Sequence, residues 1–363
     1  MGYAHAIDSP GQRAKTIFHH LTGQILRDDS PLYLQLVELV KNENLTKVGD
    51  LAAKEASFID STVRLWASRM LTNEDPNLLL NDSLALLMGS VRDNLDARLL
   101  LTGDYTYGRD PRMGPPSRTD TGSNALFDDL EQQGRPLGAV LHLYEPQWNT
   151  AESKSASGIL TTRWWALQNY SAGTNRRTIP ALFQSFMCES VDQWKRPNLP
   201  TSRIRQDIDR FPSGDAHQFQ TFCRNCHGAM DGLAGAFSKI TFENEKITWL
   251  SEVAPKYLIH SEFYPDGYVT VDESWINFLT GEGQSYYGWK SATQGLGIKN
   301  LGDMFAQSEQ FARCMVKRTV KTVCKKDLDV QNKIIKELAA EFSSNGYKLR
   351  DLFIAVAIGN VCL

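Results

Sequence analysis

Two cysteines and a histidine at close spacing are the residues of this chain best suited to chemistry. They form the run Cys223-Arg224-Asn225-Cys226-His227. Two thiols three residues apart can each form a thioether with one vinyl group on the same edge of a haem, and the histidine that follows can bind the iron. The run therefore predicts one covalently bound haem c, with Cys223 and Cys226 as anchors and His227 as the proximal axial ligand.

A zinc site and a redox-active dithiol are the other chemistries open to a C-x-x-C pair. Zinc needs a second pair of ligands, and the sequence has no other C-x-x-C or close Cys/His pair. A chance match is improbable, because the chain has only six cysteines and seven histidines in 363 residues. The motif favours haem over both alternatives.

The sixth position on the iron would decide what such a haem can do. A methionine there raises the reduction potential, a second histidine lowers it, and an open position admits a small ligand. The candidates are His260, His217 and Met304. His260 lies in a loop-rich stretch that leaves the chain room to cross the haem, whereas His217 could instead bond near a propionate. Met304 has the spacing of a helix-core residue, and the choice stays open.

The remaining four cysteines are Cys188, Cys314, Cys324 and Cys362. An even number allows two disulfides with three possible pairings, and buried free thiols are the alternative. Because covalent haem attachment is normally completed outside the bacterial cytoplasm, the motif also predicts export. The first ten residues lack the features of a secretory signal, so we expect that a leader has been removed and that the protein is periplasmic, extracellular or on the cell surface.

The composition narrows the possible partners. The chain is 42% hydrophobic and 22% charged, with a formal net charge of −3, so no field of one sign would attract nucleic acid or an anionic membrane. No apolar run approaches the ~20 residues of a transmembrane helix. G-x-S-x-G, H-E-x-x-H and phosphate-loop motifs are missing from the sequence. We expect a redox partner protein, or neighbouring subunits of a surface or periplasmic assembly.

Apolar residues at three-to-four spacing predict a mainly α fold. We expect an N-terminal helical domain over residues 1–108, a loop-rich linker over 109–157, a cytochrome c-like haem domain over 158–294 and a C-terminal helical domain over 295–363. The last part of the haem domain, 251–294, is rich in aromatic residues and glycine, and we expect loops there with one small hairpin.

Local signals predict where several helices begin. Pro31 and Pro76 each follow capping residues and predict helix starts. Asp303 and Asp329 are expected to cap the first two helices of the C-terminal domain. The apolar pattern over 349–358 predicts a last helix.

Three parts of the chain resemble the planctomycete-type cytochrome c family, in which one C-x-x-C-H motif lies among domains of unknown function. They are 99–106 with the helices before it, the haem segment made of 157–161, 176–177 and 217–233, and the C-terminal stretches 311–314 and 344–352. A histidine six residues before the first cysteine, here His217, and an aspartate shortly after the motif, here Asp231, are usual in that family. Gly232 stands where the family generally has proline, and 251–294 has no counterpart. The resemblance implies an exported, mostly helical, single-haem protein but supplies no reaction.

Three functions are compatible with a single haem. The function that we favour is that of an exported electron carrier. It needs a six-coordinate iron and a haem edge exposed near residues 224–232. A structural or interaction protein would use the haem to staple its fold within an assembly. A haem enzyme of peroxidase or oxygenase type would need an open distal site with a general acid or base, and the single attachment motif counts against a di-haem peroxidase.

Overall fold

The protein folds mainly into helices, as the apolar spacing predicts. The structure is a computed structural model that describes residues 9–148, 155–194, 199–257 and 263–362. Over these ranges the chain forms sixteen α-helices, six short β-strands and several 3-10 and π-helical turns. Within the same ranges, no helix combines the length and the apolar character needed to cross a membrane.

Six helices form the N-terminal part of the chain. They are α1 (Pro10–Thr22), α2 (Pro31–Lys41), α3 (Leu45–Ala52), α4 (Arg64–Thr72), α5 (Asp82–Arg92) and α6 (Leu99–Thr102), with a π-helical turn over Phe58–Val63 before α4. Pro31 begins α2 behind its capping residue Ser30, which confirms one predicted start. The start predicted at Pro76 is wrong. The chain instead continues as a loop until Asn81, whose side chain accepts the Leu84 N–H and caps α5.

The segment predicted as a loop-rich linker carries regular structure. It contains α7 (Ala125–Gln133), α8 (Leu137–Val140) and β2 (Leu141–Tyr144). Strand β2 pairs antiparallel with β1 (Thr106–Arg109), which ends at the first residue of the segment. Glycine and proline are concentrated before α7. Within α7, the buried side chains Leu126, Phe127 and Leu130 have helical spacing and join the main core. The linker is thus part of the body of the protein.

The middle part of the chain holds four helices and two hairpins. The helices are α9 (Arg163–Asn169), α10 (Thr178–Leu182), α11 (Ala216–Gln218) and α12 (Arg224–Ala234); the strands are β3 (Ile240–Glu243), β4 (Lys246–Trp249), β5 (Ser274–Ile276) and β6 (Gln294–Leu296). The pairs β3–β4 and β5–β6 are antiparallel. As expected, 251–294 consists of loops with one small hairpin over its described residues, and the second strand of that hairpin ends just beyond it.

The C-terminal part ends in four helices, namely α13 (Gly297–Ala306), α14 (Glu309–Cys324), α15 (Lys333–Ser344) and α16 (Leu349–Ile358). The bounds of α16 are those predicted. The two predicted caps are wrong. The region predicted as one helix after Asp303 is two helices, because α13 ends at Ala306 and α14 begins at Glu309. Ser308 caps α14 and Asn332 caps α15. Asp303 lies inside α13, and Asp329 accepts the Gln331 N–H in the turn before α15.

One continuous cluster of buried apolar side chains runs through all parts of the chain. The last helix, α16, contacts α1, α3 and α14, so the C-terminal helices pack against the N-terminal ones as well as against the middle part. Two disulfides secure this arrangement. Cys188–Cys314 joins the end of the π-helical turn after α10 to α14, and Cys324–Cys362 joins the end of α14 to the residues after α16. The fold thereby selects one of the three possible pairings.

Candidate haem site

The C-x-x-C-H motif lies on one helical run that comprises α11, a π-helical turn and α12. The carboxylate of Asp215 accepts the N–H of His217 and caps the run. The π-helical turn covers Phe219–Cys223. Such turns occur often at functional sites, because the extra residue changes the direction of the side chains that follow. The motif therefore begins at the end of an irregular turn and continues along the start of a regular helix.

The two cysteines of the motif are unpaired thiols, partly exposed. Their spacing of three residues on a helix places Cys223 and Cys226 on the same face. Burial raises the pKa of the Cys226 thiol, and the charge of Asp192 raises it further. Over the described residues, no group of three or more Cys, His, Asp or Glu side chains could hold a metal ion.

His227 keeps one ring nitrogen close to a carboxylate. Its side chain is 22% exposed, and Nδ1 lies 3.5 Å from Oδ1 of Asp231. The spacing of four residues along α12 brings the two side chains to the same face of the helix. An imidazole that binds a metal through one nitrogen commonly donates the other N–H to a carboxylate or carbonyl. The arrangement leaves Nε2 of His227 as the ring nitrogen free to bind a metal.

Asp231 belongs to a buried ion cluster. Its side chain has no exposed surface, and it accepts hydrogen bonds from Nε of Arg176 and from the backbone N–H of Arg205. Both arginines also pair with Asp207. Burial alone would raise the pKa of Asp231, but hydrogen bonds and charge from His227 and Arg176 hold it below its usual value. Asp231 therefore links two arginines to the Nδ1 edge of the His227 ring.

The sequence singled out only part of this cluster. Arg176 and Asp231 fall within the stretches that resemble the cytochrome family, whereas Asp207 and Arg205 carry no motif. They join the cluster because the loop that carries them, 24 to 26 residues before Asp231, contacts α12. Segments rich in charge are usually solvated, so nothing in the local pattern indicates that these two residues are buried.

Glycines on the motif helix allow another backbone to approach closely. A Cβ on Gly232 would lie 2.6 Å from the carbonyl oxygen of Ile276, and one on Gly235 would lie 2.1 Å from that of Ser274. Both oxygens belong to β5. The backbone of this strand therefore packs directly onto α12 and the residue that follows it, where any side chain larger than glycine would collide with it.

Exposed apolar side chains lie in the segments around the motif. All the exposed phenylalanines among the described residues fall here, namely Phe211, Phe222 and Phe263. Phe222, directly before the first cysteine of the motif, is 73% exposed, and Val269 and Val271 are also exposed. Exposed apolar side chains mark a binding site where they form one contiguous patch.

Three of these segments meet at the motif helix. The backbone of 204–206 is hydrogen-bonded to that of 264–268, and Arg205 is bonded to Asp231 on α12. The Arg210 guanidinium lies 4.7 Å from the centre of the Phe219 ring and 4.4 Å from that of Tyr264. The exposed phenylalanines therefore belong to chain segments that contact one another next to the cysteines.

The structure describes two of the three candidates for the sixth ligand. His217 lies on the same helical run as His227, ten residues earlier, which is about 15 Å along an α-helix. Axial ligands reach an iron from opposite sides, and two residues so far apart on one helix are not placed to do so. Met304 is fully buried in α13, and its sulfur accepts a hydrogen bond from Asn277. His260 lies outside the described residues.

The site thus combines two free thiols, a histidine with one oriented nitrogen, a buried carboxylate and an apolar surface. No residue here takes its role from a relative. Comparison of the chain with known proteins gives no matching family model, no matching curated protein and no matching solved structure.

Proposed function

We propose that this protein is an exported mono-haem c-type cytochrome that transfers electrons through a covalently bound haem. Cys223 and Cys226 would hold the haem as thioethers, and Nε2 of His227 would bind the iron. One observation carries the proposal. Of the six cysteines, only those of the motif remain free thiols, and they stand beside a histidine whose other ring nitrogen faces a carboxylate.

The exposed apolar side chains near the motif support a large apolar ligand there. Haem would cover side chains such as Phe222, and covering them removes apolar surface from water at roughly 25 cal/mol per Å². Phe211 and Phe263 lie in the neighbouring segments, and covering them would also remove apolar surface from water. A zinc ion or a disulfide between the two cysteines would leave this surface exposed.

The chain itself would position the group and keep it in place. When bound, haem supplies a one-electron couple between ferrous and ferric iron. The thioethers would prevent its loss, and His227 would enter from α12. The close contact of Gly232 with the Ile276 carbonyl fixes this helix against β5, so that the iron ligand stands on a rigid element.

Two disulfides are compatible with an oxidising compartment. Within that class of compartment we propose the periplasm or the cell surface, where c-type haem is attached and where a redox partner protein would be met. A structural role in a surface assembly is the second candidate. The motif helix supports it, because α12 is packed into a core built largely from other parts of the chain.

The test is to produce the protein with an export leader in a host that has c-type haem maturation machinery. A pyridine haemochrome assay on the purified protein should show covalent haem c in the native chain. It should show none in a variant with Cys223→Ser and Cys226→Ser. A variant with Cys188→Ser and Cys314→Ser is the matched control and should keep its haem. A native chain without haem would overturn the proposal.

Carbon monoxide separates the candidate functions of the haem-loaded protein. A reduced α-band that carbon monoxide leaves unchanged means a six-coordinate iron and supports electron transfer. A shift of the spectrum means an open position and contradicts the simple carrier. If the spectrum is unchanged but no electron exchange with small redox proteins is measured, the structural role replaces electron transfer.

A further inference from the structure

The contact between His227 and Asp231 has a consequence for the iron. We propose that Asp231 is a positioning residue which, through His227, lowers the reduction potential of the haem. This inference rests on the proposed function, since it needs an iron on Nε2 of His227. The proposed function requires only that haem is attached, whereas the contact with Asp231 determines which oxidation state of the iron the protein favours.

The geometry assigns the Nδ1 proton of His227. Nδ1 lies 3.5 Å from Oδ1 of Asp231, and that oxygen is also bonded to Nε of Arg176. The other oxygen accepts the backbone N–H of Arg205. A carboxylate that already accepts these bonds can only accept from the ring as well, so Nδ1 carries the proton and Nε2 carries the free lone pair.

The surrounding charges keep this acceptor anionic. Asp231 and Asp207 carry two negative charges, Arg176 and Arg205 carry two positive charges, and the positive charge of Arg210 is near enough to act on both carboxylates. A proton on Asp231 would leave the two arginines with one carboxylate. The ring therefore faces a charged acceptor, which polarises an N–H bond more than a neutral carbonyl does.

A polarised Nδ1–H makes the imidazole a stronger electron donor to a metal on Nε2. Stronger donation stabilises ferric iron more than ferrous iron. Hydrogen bonds in the shell outside the ligands are one of the ways in which a protein sets a haem potential. The expected direction is thus a lower midpoint than the same haem would have with a neutral acceptor.

Asp231 could instead serve only to hold the helix, because it also fastens α12 to the loop at Arg205. Asp207 separates the two roles. It pairs with the same two arginines and is also buried, but among the described residues its ion pairs and hydrogen bonds are with these arginines and not with His227. The variants Asp231→Asn and Asp207→Asn therefore remove the same charge from the same cluster, and only the first replaces the charged acceptor of the Nδ1 proton by a neutral amide.

The experiment is a potentiometric titration of the haem-loaded native protein and of these two variants, after the haem content of each has been measured. Asp231→Asn should shift the ferric–ferrous equilibrium about tenfold toward ferrous iron, which is ~59 mV for one electron. Asp207→Asn should shift it by less than threefold. Equal shifts in the two variants, or no shift in Asp231→Asn, would overturn the inference. A protein without haem would instead be a failure of the proposed function.

A second measurement does not depend on the folding of any variant. In the native ferrous protein with ¹⁵N-labelled histidine, made low-spin with carbon monoxide if necessary, the Nδ1 proton of His227 should be visible and should exchange slowly with water. A proton bonded to a fully buried carboxylate is protected from solvent. A rapidly exchanging Nδ1 proton would show that the bond to Asp231 is missing in the haem-loaded protein.

Discussion

Two buried carboxylates hold segments of this protein together, and they differ in their partners. Asp231 is balanced by guanidinium groups, as described above. Asp82, at the start of α5, accepts the backbone N–H groups of Ser83, Arg163 and Trp164. It thereby satisfies orphan donors at the start of α9. Burial raises the pKa of Asp82, and these N–H bonds oppose the rise.

The variant Asp82→Asn should lower the free energy of unfolding by about 1–3 kcal/mol. Asparagine has one acceptor oxygen where Asp82 uses two, so its NH₂ group would face a backbone N–H. Urea denaturation followed by far-UV circular dichroism measures the loss. Glu55→Gln, at an exposed position, is the control and should change stability by less than about 0.5 kcal/mol. An unchanged midpoint for Asp82→Asn would show that these bonds do not stabilise α9.

At the scale of helices, the boundary between α13 and α14 depends on one small side chain. Ser308 is fully buried between the two helices. Its hydroxyl accepts the N–H of Phe311 and donates to the carbonyl oxygen of Phe305. It therefore begins one helix and closes the other. Asp303 is as good a capping residue as serine by type alone, but it lies inside α13, where its backbone is already helical.

The variant Ser308→Ala should lower the free energy of unfolding by about 1–2 kcal/mol, because it removes the cap of α14 and leaves a buried N–H unsatisfied. Asp303→Ala should have a smaller effect. Thermal unfolding of the two variants side by side checks this order. A larger loss for Asp303→Ala would restore the cap predicted from the sequence.

The packing of α1 against α16 predicts a dependence on pH. Burial lowers the pKa of His20, and the positive charges of His19, Arg13 and Lys325 lower it further, against a hydrogen bond with the backbone of Ala357. In the unfolded chain the ring takes up its proton near its ordinary pKa of 6.5. As the pH falls through that value, the unfolded state binds the proton first and the folded state loses stability.

The midpoint of thermal unfolding should therefore fall more steeply between pH 7.5 and about 5 in the native protein than in the variant His20→Gln, which cannot titrate there. At pH 8 the ring is neutral in both states, so the difference between the two proteins at that pH measures only the change of side chain. Parallel curves across the whole range would contradict the prediction.

At the scale of the whole molecule, two disulfides connect distant parts of the chain. Cys188–Cys314 closes a loop with a sequence separation of 126, and Cys324–Cys362 closes one with a separation of 38. Closing a loop removes conformations from the unfolded chain, and longer loops lose more. Chain entropy assigns about 5 kcal/mol to the first bond and about 4 kcal/mol to the second.

Removing Cys188–Cys314 by a pair of serine substitutions should thus destabilise the protein more than the matching pair at Cys324 and Cys362. The expected difference is about 1 kcal/mol. Denaturation in guanidinium chloride compares the two variants directly. The opposite order would mean that contacts in the native state, rather than the entropy of the unfolded chain, determine what each bond contributes.

The sequence by itself determined those features that depend on neighbouring residues. The motif places two anchors and a ligand within five positions, so its chemistry can be inferred without a fold, although haem attachment itself is still a prediction. The mainly α class and the bounds of α16 follow from the spacing of apolar residues, which reflects the 3.6-residue turn of a helix.

Only the tertiary structure decided what depends on distant segments. It paired Cys188 with Cys314, placed Asp207 and Arg205 beside Asp231, and packed the helices and strand of 109–148 against the core. It also chose Ser308 over Asp303 as a cap. Each of these depends on which parts of the chain meet, and that depends on burying apolar surface against the entropy of closing long loops. Such a balance is set by the whole chain, so no local pattern contains it.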